Sequence, residues 1–259
     1  MKPLIKDNLN FKSLSAVKEL IPRKSIINSF LFYSGALELS LAHDGRFVAA
    51  HTTRQAVYEF WRCVMEDALS VATRVQLFSK LIADEGSFSS EKTFTILQES
   101  WAKYSDPWTR SAYFFLLNHC SESGLISSGK LNIKYFSPLS ITNLKSFKPN
   151  NFHIHFDPQE DFMTALASTD EADYLLLPVG RYSYNLFEHG KSKGSETTTV
   201  HHKKLYENLK NHPKKWVVLY KSHPDIFKLY ADHNITMINK YGRKTTQMSA
   251  CEDIVIANF

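Results

Sequence analysis

Hydrophobic side chains recur along this chain in two rhythms, and the rhythms alternate. Leu14, Val17, Leu20 and Ile21 stand at the spacing of one helix face, and Pro22 closes that helix. Ile26 to Phe32 is mostly apolar and β-branched or aromatic, which predicts a strand buried on both faces. Ser34-Gly35 supplies a turn of small residues, and Ala36 to Ala42 opens as a helix. Strand, tight turn and helix begin a Rossmann-like unit.

Arg46 to Ala50 predicts a second strand, and a long helical region follows from Thr53 to about Leu81, with Trp61, Val64, Met65, Leu69 and Val71 on its apolar side. Glu91 to Tyr104 is helical, and Asp106-Pro107 begins another helix through Leu117. Between Ser121 and Asn150 the pattern breaks into Ser, Gly, Asn and Lys, which predicts loop and hairpin. Alternation then resumes. Strands are predicted at Phe152–Phe156, Tyr174–Val179, Trp216–Tyr220, Thr236–Asn239 and Asp253–Ala257. Helices are predicted at Asp161–Ser168, His202–Leu209 and Asp225–Tyr230, with a long polar loop over Arg181–Val200. The expected fold is α/β: a Rossmann-like sheet with helices on both faces and a loop-rich, helical insert. The core spans residues 1–55 and 151–259, and the insert 56–150.

Composition narrows the classes. Of 259 residues, 43% are hydrophobic, enough for a large core, which excludes global disorder. Nine Gly and nine Pro exclude collagen-like or low-complexity architecture. The net charge of +5 is compatible with a polyanionic partner. Cys63, Cys120 and Cys251 are widely spaced and form no CxxC pair, so neither a disulfide framework nor a zinc site is expected. His153 with His155, and His201 with His202, lack accompanying ligands at metal-site spacing, so no metal is expected either. Ser34 lacks the glycines of a nucleophile elbow. Apolar stretches such as Tyr113–Leu117 are too short to span a bilayer, and the first twelve residues carry no signal-peptide core. A reducing cytoplasm and no membrane association are the expectations.

Several segments together resemble one family. Pro107–Leu125 is similar to a helix ending in a Leu-Asn pair and an Asn-Gly-Leu turn, matched here by Leu117, Asn118, Gly124 and Leu125, with Gly129 and Asn132 following. Asp161–Val179, His201–Tyr230 and Cys251–Phe259 resemble that family's later helices and strands in the same order. The family is the Dam-type adenine-N6 DNA methyltransferases, whose catalytic motif is DPPY. The resemblance implies a methyltransferase sheet, a DNA-recognition module within the insert, and a phage or mobile-element source.

Its chemical motifs are missing. The DPPY position reads Leu177-Pro178-Val179-Gly180, where leucine accepts no hydrogen bond from an adenine amine and glycine cannot stack on a flipped base. Tyr182 is a stand-in for the aromatic, and Asp157, in Asp157-Pro158-Gln159-Glu160, is a decoy or relocated acid. The glycine-rich turn that lets backbone approach S-adenosylmethionine reads Phe32-Tyr33-Ser34-Gly35-Ala36, with Tyr33 in place of the first glycine. Ser29 stands near the family's acid before that turn. His51 ends the strand whose last residue should be the acid that grips the ribose. The family's Gly-Gly-Lys reads Asn10-Phe11-Lys12, and its arginine after the Asn-Gly-Leu turn reads Ser127.

The resemblance therefore implies a degenerate member: no catalytic site, no cofactor, and a role as a binding or scaffold subunit. Lys130 and Lys134 in the insert, with Lys203, Lys204, Lys210, Lys214 and Lys215 around a later helix and strand, are candidate phosphate contacts for nonspecific DNA. Two alternatives remain. One is a divergent active methyltransferase using S-adenosylmethionine; the other is a virion or assembly component that binds a protein partner or itself.

Overall fold

The computed structural model describes residues 3–7, 9, 11–84, 87–122, 124, 126, 131–157, 162–167, 171–182 and 200–259. Its centre is a seven-stranded sheet in the order β3-β2-β1-β4-β5-β7-β6. The strands are β1 (Ile26–Ser29), β2 (Phe47–Thr52), β3 (Phe152–Phe156), β4 (Tyr174–Gly180), β5 (Lys215–Lys221), β6 (Asn234–Asn239) and β7 (Cys251–Ala257). From β3 to β5 all pairings are parallel, while β7 runs antiparallel to both β5 and β6. Helices flank the sheet, and the fold is Rossmann-like α/β, as expected. Strand order reverses between β1 and β4, so the crevice at their carboxyl ends is where such sheets place ligands.

Burial explains which strands lie at the centre. All seven residues of β4 are buried, as are Trp216 to Tyr220 of β5. A strand covered on both faces needs apolar residues at every position, and these have them. The run that predicts a strand to Phe32 stops pairing as a strand at Ser29, because Leu31 takes a positive φ of 60°. That kink redirects the chain, and Phe32 N–H bonds the carbonyl of His51 at 3.0 Å instead.

The segment 56–150 shares the core of the sheet. Helix α3 (Gln55–Asp84) carries Trp61 against Phe32, Phe147 and Phe152, and Phe60 against Phe114 and Phe115 of helix α5 (Pro107–Cys120). The long helical region is not continuous. Asp67 leaves helical geometry, at φ −156° and ψ 86°, and its carboxylate accepts from Ser70 N–H at 3.0 Å, as a helix-capping residue does. The expected hairpin between Ser121 and Asn150 is reduced, among the described residues, to an isolated bridge of Ser121 with Leu131. Pro138–Lys145 is a helix instead, opened by Pro138 and anchored by buried Leu144. Proline suits a first helical turn, a cue the Ser- and Lys-rich composition obscured.

Gly180 shows why one glycine in the degenerate catalytic tetrapeptide is structural. Its φ is +87°, and a Cβ there would stand 2.5 Å from Cδ2 of Leu9, which crosses over the strand end. Gly180→Ala should lower unfolding free energy by about 1–2 kcal/mol. The urea midpoint should fall with an unchanged slope; an unchanged midpoint would refute the close approach.

Candidate functional site

The crevice at the β1–β4 reversal is covered by the N-terminal arm. Asn118, fully buried near the end of α5, binds this arm: its Oδ1 accepts from Lys6 N–H at 2.7 Å. Its Nδ2 lies 2.9 Å from the Gly124 carbonyl, 3.1 Å from the Lys6 carbonyl and 3.2 Å from the Tyr33 hydroxyl. Tyr33 is thereby clamped inside the turn after β1. The Trp61 indole donates to its carbonyl at 2.8 Å, and the Arg54 guanidinium lies 4.7 Å from its ring centre. Burial pushes its hydroxyl up to about 12, against the opposing pull of Arg54.

The rest of this turn is committed to internal bonds. Ser34 Oγ donates to Asp7 at 2.8 Å, and the same carboxylate accepts from Leu9 N–H. Ser29 Oγ donates to Glu38 at 2.8 Å. Glu38 is buried in helix α2 (Glu38–His43), and burial raises its carboxyl above the ordinary value. Burial raises Asp7 likewise, although its hydrogen bonds, Arg54 and Lys221 oppose the shift. Gly35 keeps a positive φ of 72°. Between Asp7, Tyr33, Ser34, Glu38 and Pro178 a cavity of only about 20 Å³ remains, room for about one water molecule.

On the β2 side the space is equally small. His51 stacks between Phe30 and His155, at centroid distances of 4.7 and 4.9 Å, with Nδ1 at 3.1 Å from Asp157. A cavity of about 10 Å³ separates His51 and Asp157 from Phe32 and Arg54. Asp157 ends β3, three strands from β4, roughly 14 Å across the sheet at about 4.8 Å per strand. It therefore does not meet the residues at the DPPY position. Leu177 and Val179 are fully buried there, and Pro178 faces the small cavity.

Tyr182 belongs to a different space. Its ring packs on His202 and His223, at 4.7 and 4.5 Å, and walls a cleft of about 600 Å³ with Lys12, Arg181 and Lys221. Leu9 stands between this cleft and the small cavity, lining both.

The predicted basic surface is divided. Lys203 and Lys204 open helix α8 (His202–Lys210), whereas Lys210 ends it. Lys214 precedes β5 and Lys215 begins it, with the Lys215 ammonium over the rings of Tyr174 and Phe259. Lys221 closes the same strand, so roughly 20 Å of β5 at about 3.3 Å per residue separates the two groups. Lys134 is exposed on a single helical turn, Ile133–Tyr135, and Lys130 lies outside the described residues. Sequence reasoning missed Arg181 and the cleft's grouping; the signal was that Lys221 and Arg181 each follow the carboxyl end of a buried parallel strand.

Among the described residues no group of three or more His, Cys, Asp or Glu is arranged to hold a metal ion, and no helix is long and apolar enough to cross a membrane. No protein-family model matches the chain, and no curated protein matches it in a sequence search.

Glu38 offers a test of this packing by pH. Its carboxyl is raised above 4.5 in the folded state, so the proton favours folding. That contribution is complete below the unfolded value and is lost as pH rises through the folded one. Glu38→Gln keeps an acceptor for Ser29 but carries no charge. Denaturation at several pH values should show the variant gaining on the native chain from about pH 4.5 upward. A difference that does not vary with pH would contradict the assignment.

Proposed function

We propose that this chain is a catalytically inactive relative of the Dam-type adenine-N6 DNA methyltransferases, working as a binding or scaffold subunit. The sheet order, with the reversed β7 between β5 and β6, agrees with a methyltransferase-type core. One observation carries the loss of activity: side chains fill the donor crevice. Tyr33, Phe32 and His51 stand where glycine and an acid would admit S-adenosylmethionine. The remaining cavities of about 20 and 10 Å³ compare with roughly 300 Å³ or more for an ordinary small-molecule pocket. The residues present do not fit the cofactor.

The acceptor side points the same way. Leu177 offers no hydrogen-bond acceptor on its side chain and is sealed in the core, and Gly180 is held by the passage of Leu9. Tyr182 and Asp157, the two stand-ins, lie in separate places and share no space with each other. Loss of chemistry leaves the surface available for binding, and the exposed lysines at the head of α8 suit weak, sequence-indifferent contact with DNA phosphates.

Incubation with duplex DNA, single-stranded DNA or RNA and a labelled methyl donor tests the reading. Nucleosides released by digestion should carry no label above a protein-free control. Labelled N6-methyladenine that disappears in Asp157→Ala or Tyr182→Phe would establish the active alternative.

A further inference from the structure

The cleft of about 600 Å³ beside Tyr182 has a chemistry unlike that of the closed crevice. Its cations come from three chain segments: Lys12 from the arm, Arg181 after β4, and Lys221 at the end of β5. Beneath them lies Asp253, fully buried, which binds the Lys221 ammonium at 2.6 Å and accepts from the Lys12 N–H. That carboxylate anchors the floor by tying the arm to β5 and β7. With Glu252 on the wall, two carboxylates face three cations, an excess that favours an anionic ligand.

The neutral donors extend the same preference. Nδ1 of His223 accepts from Asp225 N–H at 3.2 Å, so in the neutral ring the proton sits on Nε2, a donor on the cleft wall. Ser222 adds a hydroxyl. A planar guanidinium, two ammonium groups, an imidazole N–H and a hydroxyl together match the oxygens of a phosphate. The wall opposite supplies a flat apolar surface, the ring of Tyr182 stacked on His223 at an interplanar angle of 28°. Glu252 supplies an acceptor, suited to a sugar hydroxyl or an exocyclic amine.

We propose that this cleft binds a phosphomonoester of nucleotide size, with Arg181, Lys12 and Lys221 at the phosphate and Tyr182 against the base. Both a free nucleotide and the 5′-phosphorylated end of a strand carry this chemistry. A phosphomonoester brings nearly two negative charges at neutral pH, one more than an internal phosphodiester, and so gains more from these cations. The inference rests on the reading of the chain as a binding protein, and it gives that protein a ligand.

Calorimetric titration of the full chain with adenosine 5′-monophosphate, and with adenosine as control, tests it. Removing the phosphate should weaken binding about tenfold or more, and Arg181→Ala should do the same without changing the melting temperature. Lys215→Ala, at the far end of β5, should leave affinity unchanged. Oligonucleotides with and without a 5′-phosphate then identify the source. A 5′-phosphate that tightens oligonucleotide binding marks a strand end as the ligand, and preference for the mononucleotide alone marks a free nucleotide. Equal affinity for adenosine and its monophosphate, an unaffected Arg181→Ala, or no binding at millimolar concentration would overturn the proposal. Such a failure is distinct from that of the non-catalytic reading, which only a labelled methyl product would bring down.

Discussion

The buried amide of Asn118 is the constraint on which the rest of the ligand edge depends. One side chain holds the backbone of Lys6 on both its N–H and its carbonyl, and reaches the Tyr33 hydroxyl and the Gly124 carbonyl. A buried polar group is tolerable only when it is fully bonded, and here the full set of bonds exists in one arrangement. That arrangement lays the arm across the carboxyl ends of the strands and fixes Tyr33 inside the turn. Leu9 and Lys12 then take their places on either side of Pro178 and the cleft. The covering of one site and the shaping of the other follow from the same clamp.

A nucleotide-type crevice normally stays open because glycine lets a ligand approach the backbone. Replacing that glycine by a tyrosine substitutes protein for ligand. The ring brings apolar area into the core, the hydroxyl finds Asn118, and Trp61 bonds the carbonyl. Such changes favour stability, and they become acceptable once no small molecule must enter. Asp7 and Glu38 are the exceptions: both are carboxyls in surroundings that disfavour their charge. Each is retained in a hydrogen bond to a serine, which satisfies it without making it accessible.

The sheet was legible because central parallel strands must be apolar at nearly every position. Tyr174–Val179 and Trp216–Tyr220 announced themselves, and their structural bounds differ by one residue at either end. The kink at Leu31 and the break at Asp67 were not legible, since a positive φ or a mid-helix cap leaves no trace in periodicity. Residue identity foretold that Tyr33 occupies the place of a glycine and that Leu177 cannot serve as an acceptor. The division of the lysines between two ends of β5 needed the strand's direction, because neighbours in sequence such as Lys215 and Lys221 end a full strand apart. The cleft was hidden for the same reason: Lys12, Arg181 and Lys221 are remote in sequence and meet only through the arm's path.

The central claim is that Tyr33 and its neighbours have replaced the methyl donor with protein. Isothermal titration of the native chain with S-adenosylmethionine tests that most directly. The account predicts no binding heat up to millimolar donor at any pH at which the chain is folded. Saturable binding at micromolar donor, abolished by substitutions around Tyr33 and Ser34, would show that the crevice opens to its ligand and would contradict the account.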